Sequence, residues 1–291
     1  MVLEKCPLCG SSDFFEKIEV KDFSVSKEVF KIVECSACLL LFTNPRPANE
    51  DIGEYYKSES YISHTNQKTG LFGKIYQVLR NRALTKKLYW IKKHSAGKTI
   101  LDYGSGTGEF LNYCVNQGYC ATGVEIADEP REKAISSYGL NVLAPNELES
   151  LENDFFDIAS MWHVLEHVDQ LVPSIKNIAS KIKRNGILVL ALPNPNSWDA
   201  KKYKQFWAAW DVPIHFYHFK KTNIEKLAAT IGFDLVETIN MPYDSYYISL
   251  LSEEYKSGKK KWINAVFNGW YSNFKAGKDN ASSLTYILRK L

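Results

Sequence analysis

Residues 99–125 read Thr-Ile-Leu-Asp-Tyr-Gly-Ser-Gly-Thr-Gly-Glu-Phe-Leu-Asn-Tyr-Cys-Val-Asn-Gln-Gly-Tyr-Cys-Ala-Thr-Gly-Val-Glu. A β-rich apolar run at Thr99–Tyr103 meets glycines at 104, 106 and 108. An amphipathic segment follows, with Phe110, Leu111, Cys114 and Val115 at helical spacing, and a second apolar run ends in an acid, Glu125. Strand, glycine turn, helix, strand and acid together make the first βαβ unit of a nucleoside-binding α/β domain. The chain must turn sharply from the carboxyl end of a parallel strand into a helix, and a side chain there would block a ligand's approach. Glu125 lies about 20 residues beyond the loop, where such folds hydrogen-bond ribose hydroxyls.

The loop spacing is G-x-G-x-G, with Glu109 where a dinucleotide fingerprint places its third glycine. A carboxylate at a helix N-terminus suits the helix dipole but repels a pyrophosphate competing for the same amides. The pattern therefore favours a nucleoside without phosphates, and S-adenosylmethionine fits that description.

Leu101-Asp102-Tyr103-Gly104-Ser105-Gly106-Thr107-Gly108 resembles motif I of class I S-adenosylmethionine-dependent methyltransferases. Gly123-Val124-Glu125 resembles the end of their second strand, and Phe156–Val168 is similar to their fourth strand and the Leu-Glu-His turn behind it. The resemblance covers residues 97–240. It implies a Rossmann-like seven-stranded α/β sheet in which Glu125 holds the ribose hydroxyls and the glycine loop lines the methionine moiety. It also puts Asp102 near the ligand's amino group, directly or through water. Tyr103, Gly104, Ser105, Gly106, Gly108, Ile126, Trp162 and His163 complete the cofactor-facing set that it implies. The family often carries an acid for the adenine amino group after the third strand. Here the stretch is Ala144-Pro145-Asn146-Glu147, which leaves that contact to the backbone.

The 291 residues, 45% of them hydrophobic, suffice for one large domain and one small one. A net charge of +3 is too small to argue for a nucleic-acid partner. With no secretory leader and no apolar run of bilayer length, the expected location is the cytoplasm. Six cysteines then point to metal or packing before disulfides.

Cys6-Pro-Leu-Cys9 and Cys35-Ser-Ala-Cys38 are two C-x-x-C knuckles whose four thiolates can close a structural tetrahedral Zn²⁺ site. Phe14, Phe15, Ile18, Val20, Val29, Phe30, Ile32 and Val33 between them suggest the short strands of a zinc ribbon over residues 1–43. Asn44-Pro45-Arg46-Pro47 is an extended link. Ribbon, link and a tyrosine-rich helix (Tyr55, Tyr56, Tyr61) together resemble the N-terminal module of a bacterial methyltransferase subfamily that includes enzymes acting on sugars and other small intermediates. Residues 44–96 are read as linker and helical lid, with Ile75, Val78, Leu79, Leu84, Leu88 and Ile91 on an apolar face and a solvated basic face.

In the main domain, residues 97–291, a helix is expected at Glu129–Tyr138 and strands at Leu140–Leu143 and Phe156–Trp162. A helix at Val172–Arg184 is expected to end in a left-handed Asn185-Gly186 cap. Strands follow at Ile187–Leu192 and Phe233–Ile239, with a capping box at Thr222–Glu225 opening the helix between them. The last strand, Ser283–Arg289, is antiparallel by family analogy. Two aromatic-rich insertions, 194–220 and 241–282, are placed to wall an acceptor pocket at the carboxyl edge of the sheet. Residues 259–274, basic and aromatic by turns, have the composition of a peripheral membrane contact.

Candidate bases for methyl transfer are His163, His215 and His167, because imidazole titrates near neutrality. His163-Val-Leu-Glu166-His167 also matches an inverted zinc-protease pattern, but that chemistry needs both histidines on one helix face, and His163 follows a strand-like run. The sequence therefore reads as a methyltransferase acting on an O, C or N atom of a small-molecule or glycan-like acceptor. One rival is an RNA or protein methyltransferase using the ribbon for recognition, although the ribbon carries seven acids between Glu4 and Glu34. A metabolite-sensing protein without activity is the other.

Overall fold

A computed structural model describes residues 1–48, 50–56 and 71–291; of residues 71–79 it gives the backbone only. Tyr61, and the side chains of Ile75, Val78 and Leu79, lie outside this description.

Seven strands form the main sheet in the order β10-β11-β8-β7-β4-β5-β6. They are β4 (Thr99–Tyr103), β5 (Cys120–Val124), β6 (Asn141–Leu143), β7 (Phe156–Trp162), β8 (Ile182–Pro193), β10 (Phe233–Asn240) and β11 (Ser283–Lys290). The strands from β8 to β6 run parallel, while β11 lies antiparallel between β8 and β10. The strand order reverses at β4, with β5 on one side and β7 on the other, so the crevice for a ligand opens at the carboxyl ends of β4 and β7. Central strands covered on both faces must be apolar throughout, and Ile187 to Ala191 are all fully buried.

Helix α2 (Glu109–Asn116) follows the glycine loop and buries Phe110, Leu111 and Cys114; Val115 faces outward, 43% exposed. Helix α3 (Asp128–Tyr138) leads to β6, and α4 (Leu171–Ser180) precedes β8. The expected helix over Val172–Arg184 thus stops four residues early. Lys181 turns its amine into the carbonyl of Leu151 and the amide oxygen of Asn153, and Ile182 is buried as the first residue of β8. Asn185, at φ +64°, sits inside the strand, where the pairing with β7 shifts register between Phe156 and Ile158, so the left-handed residue serves a bulge. Helix α6 (Lys221–Thr230) also starts otherwise than expected. Asn223, in place of a Thr222/Glu225 box, accepts the Lys220 amide (2.9 Å) and donates to the Cys38 carbonyl (2.6 Å).

Helix α1 (Leu71–His94) packs Leu84, Leu88 and Ile91 against Phe110, Ile158 and Ile287 on one face of the sheet. At the N-terminus β1 (Phe14–Lys21), β2 (Val29–Cys35) and β3 (Leu41–Thr43) form an antiparallel sheet whose fourth strand is β9 (Tyr217–His218), from the first insertion. The two segments are bound at several points. Thr43 donates to the His215 carbonyl (2.8 Å), and Lys220 reaches the buried Glu34 (2.5 Å). Arg46 is 4% exposed, pairs with Asp169 (2.6 Å) and lies 4.1 Å from the Phe216 ring centroid. After a short helix α5 (Trp198–Tyr203), the remaining elements are the antiparallel pair α7 (Asp244–Ser257) and α8 (Trp262–Lys275) in the second insertion.

Candidate active site

The loop after β4 is stitched to the end of β5: the amides of Gly104 and Ser105 both donate to the Val124 carbonyl (2.7 and 3.1 Å). Gly104 and Gly108 have positive φ and no room for a side chain. A Cβ would lie 2.3 Å from Val164 at the first and 2.6 Å from Leu140 at the second. Gly106, φ +55°, has nothing within 4 Å of its would-be Cβ, so the open side of the loop lies there.

Glu125, 8% exposed, is fixed by two backbone amides: Gly106 donates to Oε2 (2.8 Å) and Ala127 to Oε1 (2.9 Å). Each carboxylate oxygen keeps a lone pair for a further donor. Ile126 beside it is 81% exposed. Glu147 turns back onto the Ala144 amide (2.7 Å), so this acid is engaged within its own turn. Glu109 pairs with Arg80 of α1 (2.7 Å), which offsets the charge that the sequence argument set against phosphate.

Asp102, 2% exposed, lies beneath this loop and accepts from Ser160 (2.5 Å). Burial pushes its carboxyl up to about 6, against the Ser160 hydrogen bond and the Lys87 charge. Lys87 comes from the face of α1 that the sequence reads as solvated. Its ammonium lies 4.3 Å from the Trp162 ring centroid, and burial lowers its pKa against the pull of Asp102 and Asp244. Distance along the chain hides this lysine, because nothing local marks it off from its basic neighbours.

Beyond β7 the backbone turns abruptly: His163 has φ +57°, a strained value for a non-glycine residue and one that clusters at functional sites. Its ring is held between two carboxylates, Asp244 Oδ2 at 3.1 Å from Nε2 and Glu166 Oε1 at 3.5 Å from Nδ1. Burial opposes the charged form, yet these acids hold the imidazole up to about 10. Glu166 is fully buried, and neither of its carboxylate oxygens has a hydrogen-bond partner among the described residues. Glu166 and His167 sit in a 3₁₀ turn, not on a helix with His163.

His215 is in the opposite state. Burial and the neighbouring His167 and His218 hold its pKa well below the usual imidazole range. Its Nδ1–H donates to the Ala209 carbonyl (3.0 Å), which leaves Nε2 as an acceptor, 3.9 Å from Asp211. His167 is likewise pushed down by burial, with Nδ1 3.0 Å from the Ile214 carbonyl, and burial carries His218 down to about 3.

His163 and His215 border one cavity of about 460 Å³. Tyr243, Tyr247, Ile248, Leu251 and Tyr255 of the second insertion wall it, with Ala208, Val212 and Ile214 of the first. Asp22 and Ser24, from the β1–β2 turn, and Tyr55 close it. Sequence reasoning found the two insertions but not this N-terminal wall, which depends on the β3–β9 pairing.

Among the described residues two groups converge closely enough to hold a metal ion. In one, Cys6, Cys9, Cys35 and Cys38 have ligand atoms within 4.8 Å of one another, with Sγ pairs at 3.5 and 3.6 Å; the other is Glu166, His167 and His215.

Residues 75–238 match the model of a family described as a methyltransferase domain. The chain belongs to that family. It is an enzyme, an S-adenosylmethionine-dependent methyltransferase. Among similar proteins, a ubiquinone biosynthesis O-methyltransferase of Neisseria meningitidis serogroup C is 24% identical over 239 residues, covering 75% of this chain and 95% of the relative. Another so named, from Rickettsia bellii, is 27% identical over 216 residues, 69% of this chain and 85% of that one. The crystal structure of magnesium protoporphyrin IX methyltransferase from Synechocystis PCC 6803 with bound SAH superposes with a TM-score of 0.55 at 14% identity, covering 84% of this chain and all of that one. That likeness is one of fold. The glycine cradle, the oriented Glu125 carboxylate and the exposed Ile126 suit the methyltransferase's nucleoside cofactor in shape and in donor chemistry.

Proposed function

We propose that this methyltransferase acts on a small molecule with an apolar or glycan-like body and a hydroxyl or similarly acidic group at the methylated atom. The observation that carries the reading is the cavity. It is the size of a small-molecule site, is lined by tyrosines and aliphatic residues, and has an imidazolium, a neutral imidazole, Asp22, Asp211 and Asp244 on its walls. The O-methyltransferases named for ubiquinone biosynthesis support the same acceptor class.

Cofactor binding is assigned to Glu125 for the ribose hydroxyls, Gly104–Gly108 for the methionine end, and Ile126 against the base, with Asp102, Tyr103, Ser105, Trp162 and His163 around them. S-adenosylmethionine, when bound, supplies a methyl group activated by a sulfonium. The chain's own residues then orient the acceptor, exclude water and take its proton. His215 is the base in this reading, because its Nε2 is unprotonated and borders the cavity. His163, held as a cation by Asp244 and Glu166, positions the acceptor and is not free to take a proton at neutral pH. His167 braces the Ile214 carbonyl beneath them.

The four cysteines are proposed to hold a structural Zn²⁺, since a tetrahedron of Zn–S bonds of about 2.3 Å has edges of about 3.8 Å, close to the sulfur spacings here. Residues 1–43 are then a zinc ribbon, 44–96 the link and lid, and 97–291 the catalytic domain. Incubating cell extracts with isotope-labelled S-adenosylmethionine and the enzyme tests the acceptor class. Label is expected in the small-molecule fraction, and label confined to RNA or protein would overturn the reading.

A further inference from the structure

Helix α8 is amphipathic, but the wrong way round for water. The positions it turns inward are Ala265, Asn268, Gly269 and Ser272, all buried. They are small or polar for a reason. Asn268 donates to Glu253 (3.1 Å) and Ser272 to Asp199 (2.7 Å), both acids buried behind the helix. Gly269 lets α7 approach so closely that a Cβ would lie 2.9 Å from the Tyr246 Cα. The outward face carries Trp262, Ile263, Val266, Phe267, Trp270 and Phe274, between 52% and 86% exposed. A stripe of this length and bulk is not what a free surface helix shows.

Its flanks name the partner. Lys259, Lys260 and Lys261 precede the helix, Lys275 ends it and Lys278 follows it, all exposed, and residues 259–278 contain no Asp or Glu. Apolar and aromatic residues between basic ends suit a helix lying in the headgroup region of an anionic bilayer, tryptophans at the boundary and ammonium groups among the lipid phosphates. A second copy of this chain would bring like charges together at the same face. We infer that α8 docks the enzyme flat on an anionic lipid membrane. The α7 helix it packs against is also the wall of the cavity, so docking and acceptor binding share one helical hairpin.

Sedimentation with phosphatidylcholine vesicles, with and without about 30% phosphatidylglycerol, tests this, and the bound fraction should fall about tenfold or more without the anionic lipid. A comparable loss is expected for the double substitution Ile263→Ser and Phe267→Ser, and for Lys259→Gln, Lys260→Gln and Lys261→Gln together, with the near-ultraviolet circular dichroism unchanged. Brominated lipids should quench tryptophan fluorescence of the unaltered protein, a readout that needs no variant. Protein left in the supernatant and unquenched overturns the inference. So does a dimer in sedimentation velocity that Ile263→Ser and Phe267→Ser dissolve while vesicle binding is absent.

Discussion

His163 and His215 border one cavity in opposite charge states, and the difference lies in what faces each ring. Two carboxylates at 3.1 and 3.5 Å flank His163, whereas a carbonyl and two other imidazoles surround His215, whose nearest carboxyl, Asp211, stands off at 3.9 Å. A ring already charged cannot take a proton, so His215→Ala is expected to lower kcat by about a hundredfold or more. The calorimetric affinity for S-adenosylmethionine should not change, and full turnover on a true acceptor would remove the base from the scheme. The glycines divide in the same way. Gly108→Ala sets a methyl 2.6 Å from Leu140 and 2.8 Å from Ala134, and should cost about 1–3 kcal/mol of stability. Gly106→Ala meets nothing, so its left-handed strain of about 1–2 kcal/mol should leave the fold intact while the added methyl obstructs the cofactor. Both variants should therefore melt lower, Gly108→Ala by more because its own left-handed strain adds to the clash, whereas the cofactor titration should weaken more in Gly106→Ala. These residues were legible in the sequence because glycine spacing and a terminal acid are local signals. The charge states were not, because Asp244 reaches His163 from the second insertion and the burial of both histidines is set by tertiary packing.

Strands and helices with strong local patterns read well from the sequence: β7 spans Phe156–Trp162 as expected, and β11 lies antiparallel beside β10. The misreadings fall where a tertiary contact outweighs a local rule. Asn185 looked like a helix cap and is a strand bulge, because Ile182 gains more by burial in β8 than by continuing α4. The strand ends are pinned by charge as well. Asp157 accepts from the Thr99 hydroxyl (2.7 Å), the amides of Lys98 and Thr99, and Lys183 (2.8 Å). Burial pulls the other way, yet these partners bring its carboxyl down to about 2 from 3.8. A depressed carboxylate stabilises the fold above its unfolded value and loses that contribution as pH falls through the folded one. Asp157→Asn should accordingly lower stability by about 2 kcal/mol at pH 7. Urea midpoints of the two proteins should draw together between about pH 4 and pH 2; a gap that stays constant across that window would assign the effect to packing.

At the scale of the molecule, the N-terminal segment does not hang from the rest of the chain as a separate bead. Its sheet is completed by β9, Arg46 lies against Phe216, Asn223 of α6 holds the Cys38 carbonyl, and the β1–β2 turn supplies Asp22 and Ser24 to the cavity. Sequence spacing could suggest a ribbon and a pocket, but not that one closes the other, since strand pairing across so long a separation leaves no periodic trace. In this arrangement the Zn²⁺ proposed for the four cysteines would influence the substrate from outside the cavity. Removing it by chelation, or by Cys6→Ser with Cys38→Ser, frees the knuckles that anchor β2 and β3, and the cavity loses its N-terminal wall. The glycine loop and Glu125, proposed to hold the cofactor, lie after β4 and β5, and are expected to remain in place. The expected result is a split: KM for the acceptor rises by about tenfold or more and the melting temperature drops, while calorimetry still shows S-adenosylmethionine binding near its original affinity. Equal loss of both affinities would mean that the metal supports the whole fold, and loss of neither would mean that the four thiols serve packing alone.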